Sequence, residues 1–215
     1  MPTPSKLARP TSEQIAALPP FPALPPHCIH LLKSPEQLAQ AEQALRAAVH
    51  VGFDTESKPV FVAGAPQTGP EVIQFATATQ AFIVQTATPG VHGFLQAMIE
   101  SDDVVKVGFG LASDRPQIHR KLGLRLGASI DLSHSVRKLG FKDAVGLKVA
   151  VAVVLGQRFS KSKKATTSNW ANPTLTPQQL HYAANDAHAS LLIYQALAHQ
   201  AHGVNATGVN AVQPR

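Results

Sequence analysis

The strongest constraint on this chain is a short apolar run that ends in two carboxylates. Residues 49–57 read Val-His-Val-Gly-Phe-Asp-Thr-Glu-Ser. Val49–Asp54 predicts a β-strand, and Glu56 follows at its end. Successive strand side chains alternate between faces, so Asp54 and Glu56 share one. Two like charges side by side after an apolar strand repel each other. A divalent cation that prefers oxygen ligands is a physical reason to keep them together. A lone Asp-x-Glu is a weak signal, so the rest of the chain has to decide it.

The 215 residues suit one domain with short tails, and 44% apolar content is enough for a core. A single cysteine, Cys28, excludes an intramolecular disulfide framework and a multi-cysteine zinc module. No apolar run approaches the ~20 residues that span a bilayer. The N-terminus lacks the apolar stretch of a secretory signal, so the expected location is cytoplasmic, with no membrane partner. Residues 1–27 hold 8 of the 17 prolines and predict an extended or disordered lead-in. Residues 28–201 form the expected domain, and 202–215 a flexible tail.

Ser34, Pro35 and Gln37 predict a capped helix over 34–48. Val72–Thr77 and Ala81–Gln85 are β-rich runs separated by a few polar or small residues, a hairpin pattern. Further along, the pattern predicts a helix at Val91–Ile99, a strand at Val104–Val107 and a helix at Leu111–Leu122. Pro116 argues that the last of these begins no earlier than about Ala112. A brief strand at Ser129–Leu132 and an apolar helix over 145–155 follow. Thr176, Pro177 and Gln179 start a final helix, in which Leu180, Ala184, Ala187, Leu191, Tyr194 and Ala198 recur at helical spacing. The element order predicts an α/β fold: a mixed sheet, with an antiparallel hairpin and parallel strands, flanked by helices.

Two more acids stand out by setting. Asp114 follows the strand Val104–Val107 through a glycine-containing turn. Asp186 sits in the middle of an Ala/Leu-rich helix. Charge is also divided along the chain. Residues 1–105 carry 5 basic and 9 acidic side chains, whereas residues 106–164 carry 13 basic and 3 acidic. A stretch that basic is what a phosphate-backbone footprint looks like. It is also what a solvated surface looks like, and charge alone slightly favours the solvated surface.

Three segments change that balance: Val-Gly-Phe-Asp-Thr-Glu-Ser-Lys-Pro (Asp54, Glu56), Lys-Val-Gly-Phe-Gly-Leu-Ala-Ser-Asp (Lys106, Gly108, Asp114) and Ser168 to Tyr194. In the third, Ser168-Asn169-Trp170, Leu175-Thr176, Gln179 and Tyr182-Ala183-Ala184-x-Asp186-Ala187 carry the pattern. Together they resemble the 3′–5′ exonuclease family with four acids and a tyrosine, seen in ribonuclease D and the Werner-syndrome exonuclease domain. The resemblance covers about residues 45–200, with the motifs in the family order.

The resemblance implies a ribonuclease-H-like fold. It implies that Asp54, Glu56, Asp114, Tyr182 and Asp186 are catalytic, and that the four acids serve two divalent metal ions, Mg²⁺ or Mn²⁺. Asp54, Glu56 and Asp186 would ligate one ion, Asp54 would bridge to the second, and Asp114 would act mainly through water. Tyr182 would orient the attacking water. The partner implied is DNA or RNA with a free 3′ end, cut to nucleoside 5′-monophosphates. Lys106, Arg115, Lys161, Lys163 and Lys164 are the expected nucleic-acid-binding residues. Processivity or targeting would come from self-association or an accessory protein. The alternative is a catalytically inactive nucleic-acid-binding module on the same fold, against which the retained cluster of repelling carboxylates argues.

A sister branch of the family uses histidine five residues before the last aspartate, and His181 satisfies that spacing too. Tyr182 is one helical turn from Asp186, on nearly the same face, whereas His181 is about 140° away. Tyr182 is therefore the expected residue. Trp170 reads as packing rather than a base contact. Ser57 stands where close relatives carry a bulky aromatic, and Phe61 is a candidate to stack a terminal base in its place.

Overall fold

The computed structural model describes residues 7–60, 68–160 and 163–207. The strands are β1 (Ile29–Leu31), β2 (His50–Glu56), β3 (Val72–Ala76), β4 (Ala81–Gln85), β5 (Val105–Gly108) and β6 (Ser129–Asp131). They form one sheet in the order β1-β4-β3-β2-β5-β6. β2, β3 and β4 run as an antiparallel meander, while β1 on β4, β5 on β2 and β6 on β5 pair in parallel. This is the expected mixed sheet. The three-residue edge strand β1 is additional, too short to show a period of its own.

The helices are α1 (Ser12–Ala16), α2 (Pro35–Ala48), α3 (His92–Ile99), α4 (Leu111–Leu122), α5 (Leu132–Arg137), α6 (Leu147–Ala150), α7 (Lys163–Thr166) and α8 (Pro177–Thr207). The capping box of α2 is present in full, with Ser34 and Gln37 serving each other's backbone N–H and Pro35 at the first position. The apolar helix expected over 145–155 divides. α6 passes into a π-helical turn over Val151–Leu155, which ends at Gly156 in the left-handed region. α4 begins at Leu111, one residue before the limit inferred from Pro116. The proline therefore sits inside the helix and offers no N–H to the carbonyl of Ala112.

Both faces of the sheet are covered, and the strands alternate between them. Phe53, Ile73, Phe75 and Val84 face one core with residues of α2, α3 and α4. Val72, Ala76, Ala81 and Ile83 face the other, beneath Tyr182, Ala183, Ala184 and Ala187 of α8. The small side chains of α8 let it approach closely. A Cβ added at Gly52 of β2 would lie 1.9 Å from the Ala187 carbonyl oxygen. This contact fixes the depth at which Asp186 is presented to the sheet.

Two boundaries differ from expectation. The lead-in does not stand off the domain: Ile15, Phe21 and Leu24 are buried. Its backbone is tied down as well. The N–H of Phe21 donates to Arg158 at 3.0 Å, that of Arg158 to Pro19 at 2.7 Å, and that of Leu24 to Asn185 Oδ1 at 2.8 Å. Proline keeps the segment extended, and the apolar side chains between the prolines dock it. At the other end, α8 continues through Gly203 to Thr207, past the expected start of the tail. A single glycine inside a long helix costs only about 1 kcal/mol. No helix among the described residues is long and apolar enough to cross a membrane.

Candidate active site

Asp54 and Glu56 come from the end of β2, and Asp186 from α8 above it. One carboxylate oxygen from each lies within 4.8 Å of the other two. Asp54 and Glu56 are partly exposed and Asp186 is buried. Three carboxylates so close, with their charges unscreened by bulk water on one side, make a strongly negative pocket of hard oxygen donors. That donor set fits Mg²⁺ or Mn²⁺ and does not suit a soft metal.

Asp114 is not among those three. It hangs from the fourth position of α4, where Thr55 Oγ1 donates to its Oδ1 at 3.0 Å. Burial pushes the Asp114 carboxyl up to about 6, against the Thr55 hydrogen bond, which lowers it, and with a small addition from the nearby Asp131 carboxylate. Thr55 also donates its backbone N–H to Asp54 Oδ1 at 3.0 Å. The threonine between the two acids thus ties Asp54 to Asp114. Alternation along the strand already puts Thr55 on the opposite side from its neighbours, and that was the available signal for its role. The turn before α4 is held by Asp131, whose Oδ1 accepts from the Gly110 N–H at 3.2 Å.

The third motif is largely architecture for α8. Thr176 and Gln179 form a reciprocal cap, with Gln179 N–H to Thr176 Oγ1 at 3.2 Å and Thr176 N–H to Gln179 Oε1 at 2.9 Å. Gln179 Nε2 reaches back to Ser168 Oγ at 3.0 Å. Trp170 is wholly buried and packs near Tyr182, with ring centroids 6.0 Å apart, in the structural role expected of it. These contacts set where α8 starts, and hence the phase of Tyr182 and Asp186 around it. Tyr182 is buried and its hydroxyl accepts from Thr166 Oγ1 at 3.3 Å. His181 is exposed. A small cleft of about 110 Å³ is shared by Tyr182, Asn185 and Asp186 with Phe21 of the lead-in and Phe159. The lead-in is therefore one wall of the site, which the sequence reading missed.

The expected phosphate-binding cations fare differently. Lys106 requires a correction. It is wholly buried, and its ammonium donates to the carbonyls of Ser101 at 2.5 Å and Val104 at 2.8 Å, so it faces no solvent. Burial lowers its pKa to about 8. Arg115 is exposed, with its guanidinium on the Leu126 carbonyl at 2.9 Å and Ser129 Oγ at 2.6 Å. Lys164 is exposed on α7. Lys163 lies in the backbone of α7, and Lys161 and Phe61 fall outside the described residues. Elsewhere in the basic stretch, Lys121 pairs with Glu71, and Arg158 caps the Ala16 carbonyl at 2.7 Å. Part of that charge therefore holds the fold together.

Residues 29–202 match the model of a family described as 3′–5′ exonuclease. The chain is 31% identical over 150 residues to the mouse bifunctional 3′–5′ exonuclease/ATP-dependent helicase WRN, covering 68% of this chain and 11% of that protein. It is 29% identical over 149 residues to a 3′–5′ exonuclease of Arabidopsis thaliana, covering 68% of this chain and 52% of the relative. Among solved structures, the EXO domain of Aedes aegypti Nibbler superposes with a TM-score of 0.71 at 24% identity, covering 84% of this chain and 92% of that one. Escherichia coli RNase D superposes with a TM-score of 0.69 at 19% identity, covering 83% and 46%. These structural likenesses speak for the ribonuclease-H-like fold. The match to the family model runs through all three acid-bearing segments, and the chain belongs to the 3′–5′ exonuclease family.

Proposed function

We propose that the chain is a metal-dependent exonuclease that hydrolyses phosphodiester bonds from the 3′ end of DNA or RNA and releases nucleoside 5′-monophosphates. The observation that carries this reading is the convergence of Asp54, Glu56 and Asp186 within 4.8 Å, from a strand end and a helix. A binding module has no electrostatic reason to hold three repelling carboxylates together. A hydrolase that works through divalent cations does.

In this reading Asp54, Glu56 and Asp186 would hold one cation, Asp54 would also serve a second, and Asp114 would contribute through water. Bound Mg²⁺ or Mn²⁺ would supply Lewis acidity for both the attacking water and the departing 3′ oxygen. Thr55 keeps Asp54 and Asp114 at a fixed spacing. The Tyr182 hydroxyl, one turn before Asp186, orients the water for in-line attack, and Thr166 restrains that hydroxyl. Arg115, Lys161, Lys163 and Lys164 meet the phosphates of the incoming strand. No covalent bond to the protein forms.

The test is product analysis. An oligonucleotide incubated with Mg²⁺ or Mn²⁺ should yield nucleoside 5′-monophosphates, and EDTA or Asp54→Ala should abolish them. Binding without any product under either metal would establish the inactive module instead.

A further inference from the structure

Gln74 is a polar residue where the packing calls for an apolar one. It lies on β3 between Val72 and Ala76, which share its face and pack beneath α8. Its register partner is Asp54 of β2, so the two side chains leave the sheet side by side on the same face. Gln74 is 0% exposed, and among the described residues neither Nε2 nor Oε1 has a hydrogen-bond partner. Burying an amide unpaired is costly, and an aliphatic side chain of the same size would fill the position without that cost. The amide is thus explained by a partner it acquires in another state of the site. Asp54 is the carboxylate directly across from it, and a carboxylate that takes up a cation needs a donor to fix its orientation.

We propose that Gln74 is a positioning residue for the metal centre. When the cluster is loaded, its Nε2 donates to Asp54 and holds that carboxylate in its cation-binding orientation. The proposal rests on the metal-dependent reading of the same site. It also explains why the amide is tolerated unpaired: the stability lost without metal is returned on loading, which sharpens the dependence of the fold on the cation.

The experiment compares the full chain with Gln74→Met and Gln74→Leu, reading the Mn²⁺ dissociation constant by calorimetric titration and the metal-free unfolding midpoint. Met matches the length of Gln and Leu its bulk. The expected result is a dissociation constant raised about tenfold or more in both variants, with a metal-free midpoint equal to or above that of the wild type. A dissociation constant within twofold of the wild type overturns the proposal. So does weaker binding accompanied by a lowered metal-free midpoint in both variants, because that marks general damage to the core. If the wild type itself binds no Mn²⁺, the metal-dependent reading of the whole site falls and takes this proposal with it. If the wild type binds and the variants bind equally, only the Gln74 proposal falls.

Discussion

Replacing Gly52 with alanine perturbs the site through a single methyl group placed far from any solvent. The new Cβ would sit 1.9 Å from the Ala187 carbonyl oxygen, 2.7 Å from its carbon and 3.3 Å from Leu191 Cβ. Two of these three atoms are helix backbone and cannot rotate away. The backbone at Gly52 is not in the left-handed region, so the cost is steric alone. Restoring ordinary contact, 3.4 Å or more in place of 1.9 Å, requires β2 and α8 to separate by about 1.5 Å in a close-packed interior. Overpacking of this kind costs about 1–3 kcal/mol, and a clash whose two closest atoms are backbone belongs at the upper end. For a chain of this size that lowers the melting midpoint by roughly 5–10 °C. Ala187 follows Asp186 directly, so the same separation moves Asp186 away from Asp54 and Glu56. Mn²⁺ affinity should therefore fall with stability, by about tenfold or more. Gly93→Ala is the matched control, because nothing lies within 4 Å of the Cβ it would gain and it sits in α3. It should stabilise by about 0.5–1 kcal/mol with metal binding unchanged. Thermal unfolding and Mn²⁺ titration of both variants decide the matter. A Gly52→Ala protein within about 2 °C of wild type and with its Mn²⁺ affinity intact would refute the argument that the β2–α8 contact sets the carboxylate spacing.

Three further outcomes follow from the geometry. Tyr182→Phe should lower the rate of nucleotide release by about a hundredfold or more, while His181→Ala leaves it within twofold; a steady-state nuclease assay that reversed this order would reassign the role. Lys106 holds its proton less tightly in the folded chain, at about 8 against an ordinary 10.5. Between those values the unfolded chain binds more protons, so this residue makes stability rise with pH, by at most about 1.4 kcal/mol per pH unit. Urea unfolding between pH 7 and 10.5 should show wild type gaining on Lys106→Met over that window, with nucleic-acid affinity equal in the two proteins. Finally, Phe21→Ala should cost about 3 kcal/mol by undocking the lead-in. It should also alter the Michaelis constant for oligonucleotide, because Phe21 walls the cleft beside Asp186; a wild-type melting midpoint would show that the lead-in is not part of the folded domain.

The elements legible in the sequence were those with a local cause. Ser34-Pro35-x-Gln37 and Thr176-Pro177-x-Gln179 mark helix starts because the capping groups lie within one turn of each other, and both caps are present. The β-rich runs of β3 and β4, separated by a few polar or small residues, mark a hairpin for the same local reason, and the two strands pair antiparallel. The acids at 54, 56 and 186 were legible as a set only through the resemblance, since no local rule joins a strand end to a helix more than a hundred residues later. What was missed depends on tertiary contact. The docking of Phe21 and Leu24 requires a groove supplied by Phe159 and Asn185. Lys106 reads as a surface cation until β5 is seen to be an interior strand of the sheet, where its side chain has only the carbonyls of Ser101 and Val104 to meet. Gln74 reads as one more strand residue until the register sets it across from Asp54. The charge division likewise changes meaning: Lys106, Lys121 and Arg158 serve the fold, and the cations left for a nucleic acid are fewer than the count of 13 suggests.

If the Asp54–Glu56–Asp186 cluster is the cation site of a 3′-end hydrolase, as proposed, cleavage must depend on both the metal and Asp186. The most direct measurement is a time course on a 5′-labelled oligonucleotide with Mn²⁺, for wild type and Asp186→Asn, with and without EDTA. The expected result is a ladder that shortens one nucleotide at a time from the 3′ end, seen only for wild type and only with metal. Internal cuts, cleavage that survives EDTA, or an unchanged ladder from Asp186→Asn would contradict it.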